Sequence, residues 1–172
     1  MKRHLVLIGL PGSGKTTVGR LVAESLGVPF RDLDQEVERE VGTSVAEVFR
    51  RQGEAEFRRL ERDLAGRILA GPPGVLATGG GWAAQPGELE AARPRAFIMY
   101  LAVPPEIAAR RCGEGGGRPL LAAGGVGERL AVLYAEREPF YRLADVTISN
   151  EKGTLDSAVA EVIHWCRQAG VN

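Results

Sequence analysis

Leu5–Thr17, LVLIGLPGSGKTT, is the stretch whose reading decides the fold. Leu5 to Ile8 is a continuous apolar run, the pattern of a strand buried on both faces. From Gly14 to Leu26 the apolar residues Val18, Leu21, Val22 and Leu26 return at helical spacing, and Gly27 predicts the stop. Between the two, Gly9, Gly14, Lys15 and Thr16 satisfy G-x-x-x-x-G-K-S/T, placed after a strand and before a helix as its mechanism requires. Glycines let successive backbone N–H groups converge on phosphate oxygens, and the helix adds unpaired N–H groups and the positive end of its dipole. The loop predicts a nucleoside triphosphate bound by Gly12, Ser13, Gly14, Lys15, Thr16 and Thr17. Lys15 bridges the β- and γ-phosphates and Thr16 ligates Mg²⁺. Arg outnumbers Lys by 19 to 3, so a Lys inside the glycine loop is not compositional background.

The bulk properties narrow the class further. A chain of 172 residues suits one domain with one substantial core. No apolar run approaches the ~20 residues that cross a bilayer, and the first strand leads straight into the loop without a cleavage-type signal. A cytoplasmic protein without a membrane partner is expected. Cys112 and Cys166 have no metal-ligand spacing and suit a reducing compartment. A formal net charge of zero argues against a nucleic-acid partner.

Strands and helices alternate along the rest of the chain. VPFRDLD reads as a second short strand ending in acid, and residues 35–69 as helix, broken at Gly42–Ser44, where Ser44 caps the next segment. GVLATGGG is a strand running into three glycines, and RAFIMYLAV is the longest strand candidate, followed by a helix from Pro104. Residues 113–127 carry seven glycines and read as a mobile loop. A helix over 128–143, the strand DVTIS and an amphipathic helix over 155–169 follow. The alternation predicts a parallel sheet with helices on both faces.

Two absences direct the use of the phosphate loop. A GTPase would carry N/T-K-x-D, but Lys152, the one Lys beyond the loop, lies in NEKGTLD. A motor ATPase would carry a hydrophobic strand ending in Asp-Glu, whereas VLATGGG ends in Thr78 and glycines. A small kinase is the class that remains.

Its acceptor is read elsewhere. Asp32 and Asp34, two apart at a strand's end, point the same way. One can reach the metal's hydration shell and the other can accept a proton from an attacking hydroxyl. Arg58 and Glu61 are i,i+3 on a helix, so Glu61 can hold a guanidinium fork suited to a carboxylate or phosphate. The competing reading is a solvated, Arg-rich helix face. Gly79, Gly80 and Gly81 would let the backbone approach a substrate closely.

In chain order, GLPGSGKTT, FRDLD with GTSVAEVF, GEAEFRRLE, TGGG, RPLL and REPFY resemble the shikimate kinase family from Leu5 to Ile148. The resemblance implies a three-layer P-loop nucleoside-monophosphate-kinase-like α/β fold with a five-stranded parallel sheet flanked by helices. It implies one domain over 1–172, a substrate-binding region about 33–61 and a lid about 112–125. It further implies transfer of the ATP γ-phosphoryl to the 3-hydroxyl of shikimate, with Mg²⁺, in a monomer serving chorismate and aromatic amino acid synthesis. By the same resemblance Lys15, Asp34 and Arg118 are catalytic, Arg118 being the lid arginine that reaches over the phosphates. Asp32 stands near the metal, Arg111 lies on the adenine side, and the loop near Asn150–Thr154 matches loosely. Arg58 and Arg137 grip the acceptor carboxylate, Glu61 supports Arg58, and Gly79 to Gly81 line the pocket with Asp34. Trp82 stands where a small residue is usual, either reshaping the pocket edge or packing beneath it. The alternative is a gluconate or nucleoside-monophosphate kinase of the same fold, and a nucleotide-dependent switch protein is a third reading.

Overall fold

The computed structural model describes residues 2–113, 125–150 and 154–171. Five parallel strands form one sheet: β1 (His4–Ile8), β2 (Phe30–Asp32), β3 (Val75–Ala77), β4 (Ala96–Ala102) and β5 (Val146–Ser149). Their order is β2-β3-β1-β4-β5. β1 is central and pairs with β4 from His4↔Ala96 to Ile8↔Tyr100, and with β3 from Leu5↔Val75 to Leu7↔Ala77.

Strand alternation sorts the core into two layers. Val6 and Ile8 of β1 join Ile98 and Tyr100 of β4 in one apolar cluster, while Leu5, Leu7, Phe97, Met99 and Leu101 belong to the other. The second face is covered by α1 (Lys15–Leu26) and α7 (Leu155–Gln168), through Val18, Val22, Ala158 and Val162. The first face is covered by α2 (Leu33–Val41), α3 (Val45–Ala70), α5 (Pro105–Gly113) and α6 (Val126–Tyr141). Each fully buried Val, Leu or Ile contributes roughly 1.5–3 kcal/mol. A short α4 (Glu88–Ala92) precedes β4. None of the described helices is long and apolar enough to cross a membrane.

The strand order places the phosphate loop. β1 lies between β3 and β4, so the chain departs to opposite sides of its carboxyl end and leaves a crevice there. The loop leaves β1 at that point and enters α1, which ends on Gly27 at φ 63°.

Two local expectations need correction. The second acidic strand ends at Asp32, and Asp34 lies in the first turn of α2. Asp32 is that helix's N-cap, its Oδ1 accepting from the Asp34 and Gln35 N–H groups at 3.1 and 3.4 Å. The cap satisfies donors that open a helix, and this overrides continuation of the strand. The second correction concerns α3. Its start is as expected, with Ser44 Oγ accepting from Glu47 N–H at 3.2 Å, but Gly53 interrupts it at φ 81°, ψ 173°.

Candidate active site

The phosphate loop owes its path to glycines. Gly12 and Gly14 sit at φ 81° and 94°, where side chains are strained. A Cβ on Gly12 would also lie 2.5 Å from the Ala108 carbonyl oxygen, because α5 packs against the loop. Lys15 is buried and lies along the loop, Nζ donating to the Gly9 and Leu10 carbonyls at 2.9 and 2.8 Å. Its ammonium is thus held by groups that an incoming phosphate can replace. Gly12, Gly14, Lys15, Thr16 and Thr17 line the mouth of a cleft of about 680 Å³. Ser13 is fully buried behind the loop. Thr16 donates its hydroxyl to Asp32 Oδ2 at 2.7 Å, so the first turn of α1 and the cap of α2 meet at an oxygen pair.

The same cleft is walled by Asp34, Arg58, Glu61, Gly79–Gly81 and Arg137. The three glycines each admit a different neighbour. A Cβ on Gly79 would lie 2.5 Å from Glu61 Oε1 and 3.0 Å from Asp34 Oδ1; one on Gly80 would lie 2.6 Å from Pro11 Cδ; one on Gly81 would overlap the Arg58 guanidinium. Side chains there would force Glu61, Pro11 and Arg58 away from the turn.

Arg58 and its neighbour Arg59 resolve the question of the Arg-rich helix. Arg59 is exposed and pairs with Glu56 and Asp63 on the outer face. Arg58 is buried, donates to Glu54 at 3.0 Å and to Glu61, and places its guanidinium 5.2 Å from the Phe57 ring centre. Burial pushes the Glu61 carboxyl up to about 7, against the pull of the Arg58 charge, with the Asp34 and Glu88 charges adding to the rise. A guanidinium held on two carboxylates keeps a fixed fork toward the cleft.

Arg137 comes from α6 and is buried. One turn later Tyr141 is fully buried, its ring 5.0 Å from that of Tyr100, and its hydroxyl donates to the Gly80 carbonyl. Tyr141 closes the REPFY stretch, in which the pattern gives a role only to Arg137, one turn earlier. In the sequence Asn150 stands only at the start of a loosely matching loop. It is buried, donates from Nδ2 to the Ser13 carbonyl at 2.9 Å, and accepts at its own carbonyl from Arg111 at 3.1 Å. It thereby ties the end of β5 to both the phosphate loop and Arg111, which also lines the cleft.

Trp82 packs beneath the glycine turn in the core and is 1% exposed, so it does not form the pocket edge. Arg118 lies outside the described residues, as does most of the 112–125 segment. No group of three or more His, Cys, Asp or Glu suited to a metal occurs among the described residues.

The family model and the more similar relatives point to one family, while a gluconokinase from Sinorhizobium meliloti, at 19% identity and a TM-score of 0.65, shares only the fold. The family model described as shikimate kinase matches residues 11–167. The shikimate kinase of Symbiobacterium thermophilum is 42% identical over 170 residues, covering 97% of this chain and 98% of that protein. Among solved structures, the shikimate kinase from Acinetobacter baumannii in complex with shikimate superposes with a TM-score of 0.92 at 33% identity, covering 99% and 96% of the two chains. The shikimate kinase from Bacteroides thetaiotaomicron gives 0.89 at 28% identity, covering 96% and 98%.

Proposed function

The chain belongs to the shikimate kinase family, and from that premise we propose that it transfers the γ-phosphoryl of ATP to the 3-hydroxyl of shikimate. The observation that carries this reading is a single cleft holding both a phosphate loop and a carboxylate-backed arginine pocket with Asp34. Shikimate is a small triol with one carboxylate. Arg58 and Arg137 suit the carboxylate, and Asp34 suits a hydroxyl.

The acceptor hydroxyl oxygen attacks the γ-phosphorus, the bond to the β–γ bridging oxygen breaks, and ADP leaves. The hydroxyl proton passes to the Asp34 carboxylate. Lys15 exchanges its loop carbonyls for phosphate oxygens and stabilises charge on the transferring group. Gly12 to Thr17 hold the phosphates through backbone N–H groups, and Arg111 with Asn150 shapes the nucleotide side. Glu61 fixes Arg58, and Gly79 to Gly81 let the acceptor approach the backbone. Bound Mg²⁺ would neutralise phosphate charge. Thr16 and Asp32 fit it, since Mg²⁺ keeps several waters and takes only one or two protein oxygens.

Arg118 and a closing lid over 112–125 complete the reading by family resemblance, with water excluded from the transfer. A cytoplasmic, monomeric enzyme of chorismate synthesis belongs to the same proposal. The test is product identity: ³¹P NMR after incubation with ATP, Mg²⁺ and shikimate. A phosphate monoester coupled to the C3 proton is expected, and inorganic phosphate alone would reject the reading.

A further inference from the structure

The Tyr141 hydroxyl sits where the acceptor wall could come apart. It donates to the carbonyl of Gly80, the glycine that presses against Pro11 of the phosphate loop. The nearby Arg137 charge opposes the effect of burial on the phenol. The ring is fully buried and packed on Tyr100, so the hydroxyl reaches the carbonyl from a rigid seat. No other hydroxyl joins the glycine turn to α6 among the hydrogen bonds of the described residues.

We infer that Tyr141 is a positioning residue for the acceptor: its hydroxyl fixes the Gly80 carbonyl of the glycine turn that faces the cleft beside Arg137. The inference rests on the acceptor-pocket reading of Arg137 and the glycine turn. The phenol's one proton goes to that carbonyl. Burial pushes its ionisation up to about 12, so it remains a donor at every working pH. Without the hydroxyl, a carbonyl in the turn beside Arg137 loses its donor. Phosphate-loop contacts stay as they are.

Tyr141→Phe keeps the ring stack and removes only the oxygen. KM for shikimate should rise about tenfold while KM for ATP stays within about twofold, the scale of losing one buried hydrogen bond. Tyr100→Phe, which trims the stacked neighbour without touching Gly80, should leave both values near wild type. An unchanged shikimate KM in Tyr141→Phe, or equal rises for both substrates, overturns the inference. A second arm needs no acceptor. In a Trp165→Phe background Trp82 is the one remaining tryptophan, immediately after Gly81. Adding Tyr141→Phe should red-shift its emission and lower its anisotropy, and an unchanged spectrum overturns the inference too. If the parent protein shows no shikimate turnover, the functional reading fails while this arm still judges Tyr141.

Discussion

The phosphate loop and the acceptor wall face one cleft but are made differently. The loop is a contiguous run whose working surface is backbone, shaped by Gly12 and Gly14 and completed by Lys15 and Thr16. The wall is assembled from α2, α3, the turn after β3, and α6, and its working surface is buried charge. A backbone cradle recognises what all nucleotide phosphates share. A wall of oriented side chains discriminates, because a misplaced carboxylate or hydroxyl leaves a buried partner unpaired. Phosphoryl transfer and acceptor choice should therefore fail separately.

The largest effect should come from the loop. Lys15→Met should lower kcat by about 10³-fold or more, since stabilisation of the transferring group is lost; stopped assays with saturating shikimate measure it. Asp34→Asn sits between the two regions and should lower kcat by about 10²–10⁴-fold if it takes the proton. A loss below tenfold would reduce Asp34 to positioning.

Next is the wall itself. Arg58→Lys should raise shikimate KM by on the order of 10–100-fold with ATP KM little changed, because an ammonium cannot reproduce a bidentate fork. Equal changes in both constants would erase the proposed separation. The neighbouring Arg59→Ala should alter neither, and it should leave Tm nearly unchanged, because its ion pairs are solvated.

The wall should also have a pH signature that the loop lacks. Glu61 ionises at about 7 in the folded protein against an ordinary 4.5, so between those values the native state binds more protons than the unfolded chain. Stability from this group is therefore fully present below about 4.5 and is lost as pH rises through about 7. Tm of the substrate-free protein should fall from pH 5.5 to 8, and Glu61→Gln should flatten that dependence. A wild-type profile as flat as the variant's would contradict the burial of a charged Glu61.

What could be read from residues follows the same division. β1, the loop and α1 were legible because an apolar run, a glycine motif and a helical period adjoin in sequence. The acceptor wall was legible mainly through resemblance. Spacing paired Arg58 with Glu61 but left a solvated, Arg-rich face as the competing reading, since burial depends on which face of α3 packs against α2 and the glycine turn. VPFRDLD reads as a strand ending in acid, whereas Asp32 caps a helix that begins before Asp34. The Gly53 break has only the glycine itself as a signal, while the Asn150 bridge and the Tyr141 bond to Gly80 join residues far apart in sequence.

The most direct test of the account is acceptor choice by the intact enzyme. ADP release should be followed by a coupled assay with ATP, Mg²⁺ and, in turn, shikimate, gluconate, AMP and CMP. The account predicts shikimate-dependent release, with kcat/KM on the order of 10³-fold or more above each of the others. Preference for gluconate or a nucleoside monophosphate, or release that ignores the acceptor, would contradict it.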